Sequence, residues 1–201
     1  LEAVKSQGFA LKSASAELRG DREFVLEAVK QNGGALEYAS AELRGDREVV
    51  LEAVKQDGEA LEYASAELKG DREVVLEAVR QNGYALRYAS AELKENREIV
   101  LEAVKQNGEA LEYASAKYQR DPEIIRASYL SCPLALKYSK GIHSYDPMFI
   151  FECLKRDARC LFYLNRREKE DLFNKLSSDL RRRIDYLSSV LGNSDEDYYF
   201  D

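Results

Sequence analysis

A single motif repeats along most of this chain with a period of 25 residues and few changes. Residues 26–50 read LEAVKQNGGALEYASAELRGDREVV, and residues 51–75 differ from them at only three positions. Units at 1–25, 76–100 and 101–125 match almost as closely, and two degenerate units follow at 126–150 and 151–175. A fixed period of 20–50 residues is typical of a solenoid, in which each unit buries its apolar face against its neighbours. The sequence therefore predicts one elongated repeat domain.

Each unit is predicted to contain two helices joined by a turn. Asp21 suits the N-cap of the first helix, because its carboxylate can accept hydrogen bonds from the free amides of the first turn. Apolar residues then recur with a helical period until Asn32 and Gly33, where we expect the glycine to end the helix in the left-handed conformation. Ser40 disfavours a long second helix. Either one helix therefore reaches about Arg44, or a shorter helix is followed by a tight turn.

The fold class is therefore all-α: an α-solenoid of 25-residue helix-turn-helix repeats over residues 1–165, with five regular units followed by two degenerate ones. In residues 166–192, apolar residues spaced by three or four predict a C-terminal helix that caps the last unit. A docking helix for another chain is the alternative for this segment. Residues 193–201, NSDEDYYFD, form an acidic and aromatic tail. The core is expected to contain Leu26, Val29, Leu36, Leu43 and their equivalents.

The chain resembles a known family of tandem repeats through the phrase VLEAVKQNGxALEYASAELKxDREVV. That family is catalogued as domain of unknown function 4116. The resemblance is close over residues 1–125 and looser over 126–165, and the last helix lies outside it. It implies arrays of helical repeats without an established activity, so it supplies no catalytic residues.

The residues themselves argue against an enzyme. His143 is the only histidine, which removes histidine-based triads and an ordinary zinc site. Glutamates recur at one repeat position, whereas glycoside hydrolysis needs two carboxylates flanking one pocket. Each Asn-Gly pair follows a helix instead of opening one, so there is no glycine-rich phosphate loop. We predict no catalytic residue, no cofactor and no metal site.

Charge and cysteine usage indicate the setting of the chain. The net charge of −7 weighs against nucleic acid as a partner, because nucleic-acid-binding domains usually carry a basic footprint. The three cysteines lack CxxC spacing and favour a reduced, intracellular protein in the cytoplasm or an organelle. No apolar run is long enough to span a membrane, and no signal peptide opens the chain. The chain starts within a unit, so we expect it to be part of a longer protein.

Nearly identical units reveal which positions the fold leaves free to vary. The ninth position of the unit varies most, and the twelfth changes its charge from unit to unit. The two positions are three residues apart and would share one face of a short helix. Solenoids present extended binding surfaces in this way, although neutral variation at exposed sites would leave the same pattern. We predict a protein partner of mixed charge that contacts Phe9, Lys12, Glu59, Tyr84, Arg87, Glu109, Leu134 and Lys137.

These observations favour a non-enzymatic protein–protein interaction scaffold within a larger intracellular assembly. One alternative is a helical repeat that binds single-stranded nucleic acid, suggested by arginines at one repeated position. These are Arg22, Arg47, Arg72 and Arg97. Their acidic neighbours in the sequence are expected to neutralise them locally. The second alternative is the repeat region of a larger enzyme.

Overall fold

The computed structural model describes residues 8–140 and 147–157, together with the single positions 159, 170, 174 and 182. Within these residues there is no β-strand, and helices recur at intervals of about 25 residues, which confirms the all-α solenoid. Apart from those single positions, the expected capping helix at 166–192 and the tail at 193–201 lie outside the described residues. His143 also lies outside them.

Each unit is built from a long α-helix, a 3₁₀ helix and, in most units, a closing turn. The long helices have ten residues each and cover Arg22–Gln31, Arg47–Gln56, Arg72–Gln81, Arg97–Gln106, Pro122–Ser131 and Pro147–Arg156. The 3₁₀ helices have six residues each and cover Gly8–Ser13, Gly33–Tyr38, Gly58–Tyr63, Gly83–Tyr88, Gly108–Tyr113 and Pro133–Tyr138. The closing turns are single 3₁₀ turns at Leu43–Gly45, Leu68–Gly70 and Tyr118–Arg120 and short α-helices at Ala16–Gly20 and Ala91–Lys94.

An aspartate or asparagine side chain starts each of the first five long helices, as the sequence predicts. Asp46 accepts hydrogen bonds from the backbone amides of Glu48 at 2.9 Å and Val49 at 3.1 Å. These amides have no partner inside the helix, so the carboxylate replaces the water that they would otherwise need. Pro122 follows the Asp121 cap in the first turn of its helix, where its missing amide hydrogen costs nothing.

The glycine after the long helix has a different purpose from the one predicted. The helix ends at Gln31, Asn32 is extended with φ −155° and ψ 111°, and Gly33 already belongs to the 3₁₀ helix. The expectation of a left-handed glycine was therefore wrong. A Cβ atom on Gly33 would lie 2.3 Å from the carbonyl oxygen of Ala53 in the next unit. Only glycine allows two units to stack at this distance.

The second helix of each unit follows the shorter of the two expected forms. The 3₁₀ helix ends at Tyr38, and the hydroxyl of Ser40 then accepts from the backbone amide of Leu43 at 3.3 Å to form the closing turn. The amide of Ser40 donates to the carbonyl oxygen of Arg19 at 2.9 Å. Ser40 therefore starts its own closing turn and bonds to the closing turn of the previous unit.

The core runs continuously along the solenoid between two rows of helices. Each of the first four long helices packs on the next long helix, and each 3₁₀ helix packs on the next 3₁₀ helix. Leu36, Leu61 and Leu86 are 0 % exposed, which confirms the predicted core. Leu26 is only half-buried and packs against the edge of this core.

Candidate functional site

The 3₁₀ helices form one continuous surface because each contacts its neighbour. We call this surface the 3₁₀ face and define it by positions nine, twelve and thirteen of each unit. The side chains at position twelve are exposed: Lys12, Glu37, Glu62, Arg87, Glu112 and Lys137. The structure therefore places the charges that change between units in a single row.

Position nine is less accessible than its variability suggests. Glu59, Tyr84, Glu109 and Leu134 are half-buried, so the premise that these sites are exposed was wrong. The reason is contact with the following unit: the Asn82 side-chain amide donates to a carboxylate oxygen of Glu59 at 3.1 Å. The side chain of Phe9 lies outside the described part of the structure.

Three of the predicted partner-binding residues form one cluster. The Tyr84 hydroxyl donates to Glu109 Oε2 at 2.5 Å, and Lys137 Nζ lies 3.0 Å from Glu109 Oε1. The Tyr84 ring also meets Tyr113 edge-on, with ring centroids 6.3 Å apart. The cluster thus joins three successive units. Part of the variation at positions nine and twelve therefore serves contacts between units of the same chain.

Hydrogen bonding in this cluster shifts two pKa values in opposite directions. The bond to the Glu109 carboxylate, with partial burial, raises the pKa of Tyr84 to about 12. Bonds from Tyr84 and Lys137 lower the pKa of Glu109. Both shifts have the same cause: the hydrogen bond favours a neutral tyrosine beside a charged carboxylate.

A row of tyrosines at position thirteen also belongs to the 3₁₀ face, and the site prediction missed it. All five are half-buried: Tyr38, Tyr63, Tyr88, Tyr113 and Tyr138. The Tyr88 hydroxyl donates to Glu62 of the previous unit at 2.7 Å, and the Arg87 guanidinium lies 4.8 Å from the Tyr88 ring centroid. The sequence did contain a signal for this row, because the same residue, tyrosine, recurs next to a position whose charge changes from unit to unit.

Basic side chains at position nineteen fix the ends of some 3₁₀ helices. Lys94 Nζ donates to the carbonyl oxygen of Arg87 at 2.6 Å, and Arg19 donates to that of Lys12 at 2.9 Å. Burial lowers the pKa of Lys94. These bonds satisfy carbonyl groups at helix ends, so the exposed position-twelve residue is held on a fixed backbone.

The repeated arginines lie near the start of the long helices and are paired between units. Arg22 binds Asp46 and Glu48, and Arg47 binds Asp71 and Glu73. Arg72 and Arg97 pair with Glu98 and Glu123. The predicted neutralisation is present, but the carboxylates come from the next unit and not from the arginine's own sequence neighbours.

The described residues contain no group of three or more histidine, cysteine or acidic side chains arranged to hold a metal ion. Among those residues, no helix combines the length and the apolar character needed to cross a membrane.

Comparison with known families accounts for the repeat. The model of the domain of unknown function 4116 (DUF4116) matches residues 1–44, 46–94 and 96–142 in tandem. This chain belongs to the DUF4116 family. No curated protein and no solved structure matches it. The three DUF4116 matches each cover close to two of the 25-residue units, and together they include all of the 3₁₀ face.

Proposed function

We propose that this DUF4116 array is a non-enzymatic protein-interaction scaffold and that its contact surface is the 3₁₀ face. One observation carries the proposal: the positions that differ between near-identical units lie side by side along one row of helices. The surrounding fold keeps the backbone of that row constant while position twelve changes. Repeat proteins bind extended partners through surfaces of this kind.

The scaffold role fits a protein with many accessible charges on a rigid frame. Core leucines, glycine contacts and interunit ion pairs all recur from unit to unit, so the 3₁₀ face is held by the same contacts along its length. A partner could therefore bind without ordering the solenoid, which lowers the entropic cost of association. We place this role within a larger intracellular assembly.

Binding of single-stranded nucleic acid loses its main support in this arrangement. The arginines that suggested it are each engaged by at least one carboxylate of the next unit. A phosphate would have to displace that carboxylate, so the row offers little of the free positive charge that nucleic-acid affinity requires.

Site-specific photo-crosslinking in cell extract tests the proposal. A photoreactive amino acid is placed at exposed sites of the 3₁₀ face, replacing Glu37, Glu62 or Arg87 in separate variants. The controls carry it at exposed sites on the long helices, replacing Lys30, Lys55 or Lys105. We expect a discrete protein adduct from the first set only. Adducts confined to the long-helix set, or equal in both sets, would contradict the proposal.

Tyr84 offers a second test on the natural partner. Aromatic anchors often dominate interfaces, so Tyr84→Ala should weaken binding by about 2 kcal/mol. We also expect Tyr84→Ala to lower the stability of the fold, because the half-buried Tyr84 ring contacts Tyr113 and its hydroxyl binds Glu109. Tyr84→Phe is the matched control, since it keeps the ring and removes only the hydroxyl. Both variants should be compared with the parent protein at a temperature where circular dichroism shows all three to be folded.

A further inference from the structure

We infer that the partner of the 3₁₀ face is an extended protein segment whose charges follow the order acidic, basic, basic, acidic, basic, at every third residue. This inference rests on the proposed function and specifies the chemistry of its partner. It comes from two properties of the charges at position twelve: their order along the chain, and their exposure without an ion-pair partner among the described residues.

Five successive charges at position twelve are exposed and have no ion-pair partner within the described residues. In chain order they are Lys12, Glu37, Glu62, Arg87 and Glu112. The sixth, Lys137, is different, because Glu109 neutralises it at 3.0 Å. The available row therefore runs over five units and ends where an internal ion pair begins.

The fold itself does not explain the three glutamates in this row. Glu37, Glu62 and Glu112 each occupy the last turn of their 3₁₀ helix, where the negative end of the helix dipole favours a cation and disfavours an anion. Glu62 does accept a hydrogen bond from Tyr88, but a neutral hydroxyl leaves its charge uncompensated. A basic group from outside the chain would supply that compensation.

The spacing of the row selects an extended occupant. Neighbouring packed helices lie about 8–10 Å apart, so successive position-twelve charges are separated by roughly that distance. A segment in the polyproline II conformation advances about 3.1 Å per residue with three residues per turn, so every third side chain lies on the same side and three residues span one unit. The tyrosines at position thirteen recur at the same interval and provide half-buried rings beside each charge. Such rings give contact area at low entropic cost.

Two synthetic peptides of fifteen residues each, about three residues per charge of the row, test the inference directly. The first carries glutamate, lysine, lysine, glutamate and lysine at every third position, with serine and alanine between them. The second has the same composition in the order lysine, glutamate, glutamate, lysine, lysine. Using the intact chain, we expect the first peptide to bind about tenfold more tightly at low salt, since several exposed charge pairs together contribute on the order of 1–2 kcal/mol.

A charge reversal in the protein provides the matched control. Glu62→Lys should weaken binding of the first peptide, and a glutamate at the third charged position of that peptide should restore it. Glu23→Lys makes the same change at an exposed site on a long helix and should leave the affinity unchanged. A change in net charge alone would alter the affinity for both peptides in the same way. Only a direct contact between the two substituted positions would restore the affinity in the compensating pair.

Several results would overturn the inference. These are equal affinity for the two peptides, no binding of either at about 1 mM, or no restoration by the compensating glutamate. Concentration-dependent self-association that Glu62→Lys abolishes would instead assign the 3₁₀ face to a second copy of the chain. If peptide order proves irrelevant while crosslinks still map to the 3₁₀ face, only the charge order fails. Crosslinks confined to the long helices would remove the proposed function as well.

Discussion

Arg22 donates from Nε to Oδ2 of Asp46 at 2.9 Å, while Oδ1 of the same carboxylate accepts the first free amides of the next long helix. One side chain therefore begins a helix and binds the preceding unit. The Arg22 guanidinium is the largest cause that lowers the pKa of Asp46, and the amide bonds lower it further against the effect of burial. The same pattern recurs at Arg47 and Asp71.

Removing the carboxylate should cost more than removing the arginine. Asp71→Ala deletes both the helix cap and the ion pair, and we expect a loss of about 1–2 kcal/mol. Arg47→Met leaves the cap intact and deletes only exposed ion pairs, those to Asp71 and Glu73, and should cost less than about 1 kcal/mol. Lys55→Met is the control, because Lys55 is exposed and has no ion pair within the described residues. Urea denaturation measures all three. An equal loss for Asp71→Ala and Arg47→Met would show that the cap contributes little.

Acid should destabilise the solenoid through these capping carboxylates. The folded-state pKa values of Asp46 and Asp71 are lowered, so the unfolded chain binds more protons as the pH falls. Their contribution is complete above the unfolded pKa of about 3.9 and is lost as the pH falls through the folded values. Asn96 caps its helix without titrating, accepting from the amides of Glu98 and Ile99. The double variant Asp46→Asn/Asp71→Asn should therefore lose less stability between pH 5 and pH 2, measured by urea denaturation; an unchanged pH dependence would contradict this role.

Two glycines should respond to alanine in opposite ways. A Cβ atom on Gly58 would lie 2.4 Å from the carbonyl oxygen of Ala78, so the units must separate. We expect Gly58→Ala to cost at least about 1–3 kcal/mol, the usual range for overpacking. A Cβ atom on Gly70 would meet only Ser90, at 3.9 Å or more. Gly70→Ala should be neutral or stabilising by up to about 1 kcal/mol. Thermal and urea denaturation distinguish the two, and similar effects would refute the close-packing role of Gly58.

The contrast between Gly33 and Asp46 shows what the sequence could predict. The Asp46 cap depends on residues two and three positions away, so a local pattern was sufficient. The contact that requires Gly33 lies twenty residues away at Ala53 and exists only after the units stack. The partner of each arginine was ambiguous for a related reason. Because the units repeat, Arg47 could reach its neighbour Asp46 or the equivalent Asp71, and only the packing selects Asp71.

The 3₁₀ face was predicted in its position but not in its burial. Positions nine and twelve are three residues apart, which correctly placed them on one helix. Whether Tyr84 is exposed depends on its contacts with Glu109 and Tyr113 in the next unit. The residues next to Tyr84 in the sequence do not reveal those contacts. The tyrosine row was missed because the site prediction considered only positions that vary between units, and tyrosine recurs unchanged at position thirteen.

High pH provides a direct test of the Tyr84–Glu109 contact. The folded-state pKa of Tyr84 is raised from 10.0 to about 12, chiefly by its hydrogen bond to Glu109. The folded chain therefore retains this proton after the unfolded chain has lost it. The contact contributes its full stability below pH 10 and loses it as the pH rises to about 12. Glu109→Gln removes the charge that holds the proton, so the pKa of Tyr84 should fall towards its ordinary value.

Ultraviolet absorbance of tyrosinate measures this change, and the difference between each protein and its Tyr84→Phe derivative isolates the titration of Tyr84. Glu102→Gln is the control, since this carboxylate lies on a long helix and accepts no tyrosine hydroxyl among the described residues. We expect the titration of Tyr84 to move to lower pH in Glu109→Gln and to stay in place in Glu102→Gln. An unchanged midpoint in Glu109→Gln would mean that burial alone holds the proton. The Tyr84–Glu109 hydrogen bond would then contribute no coupling between these two units.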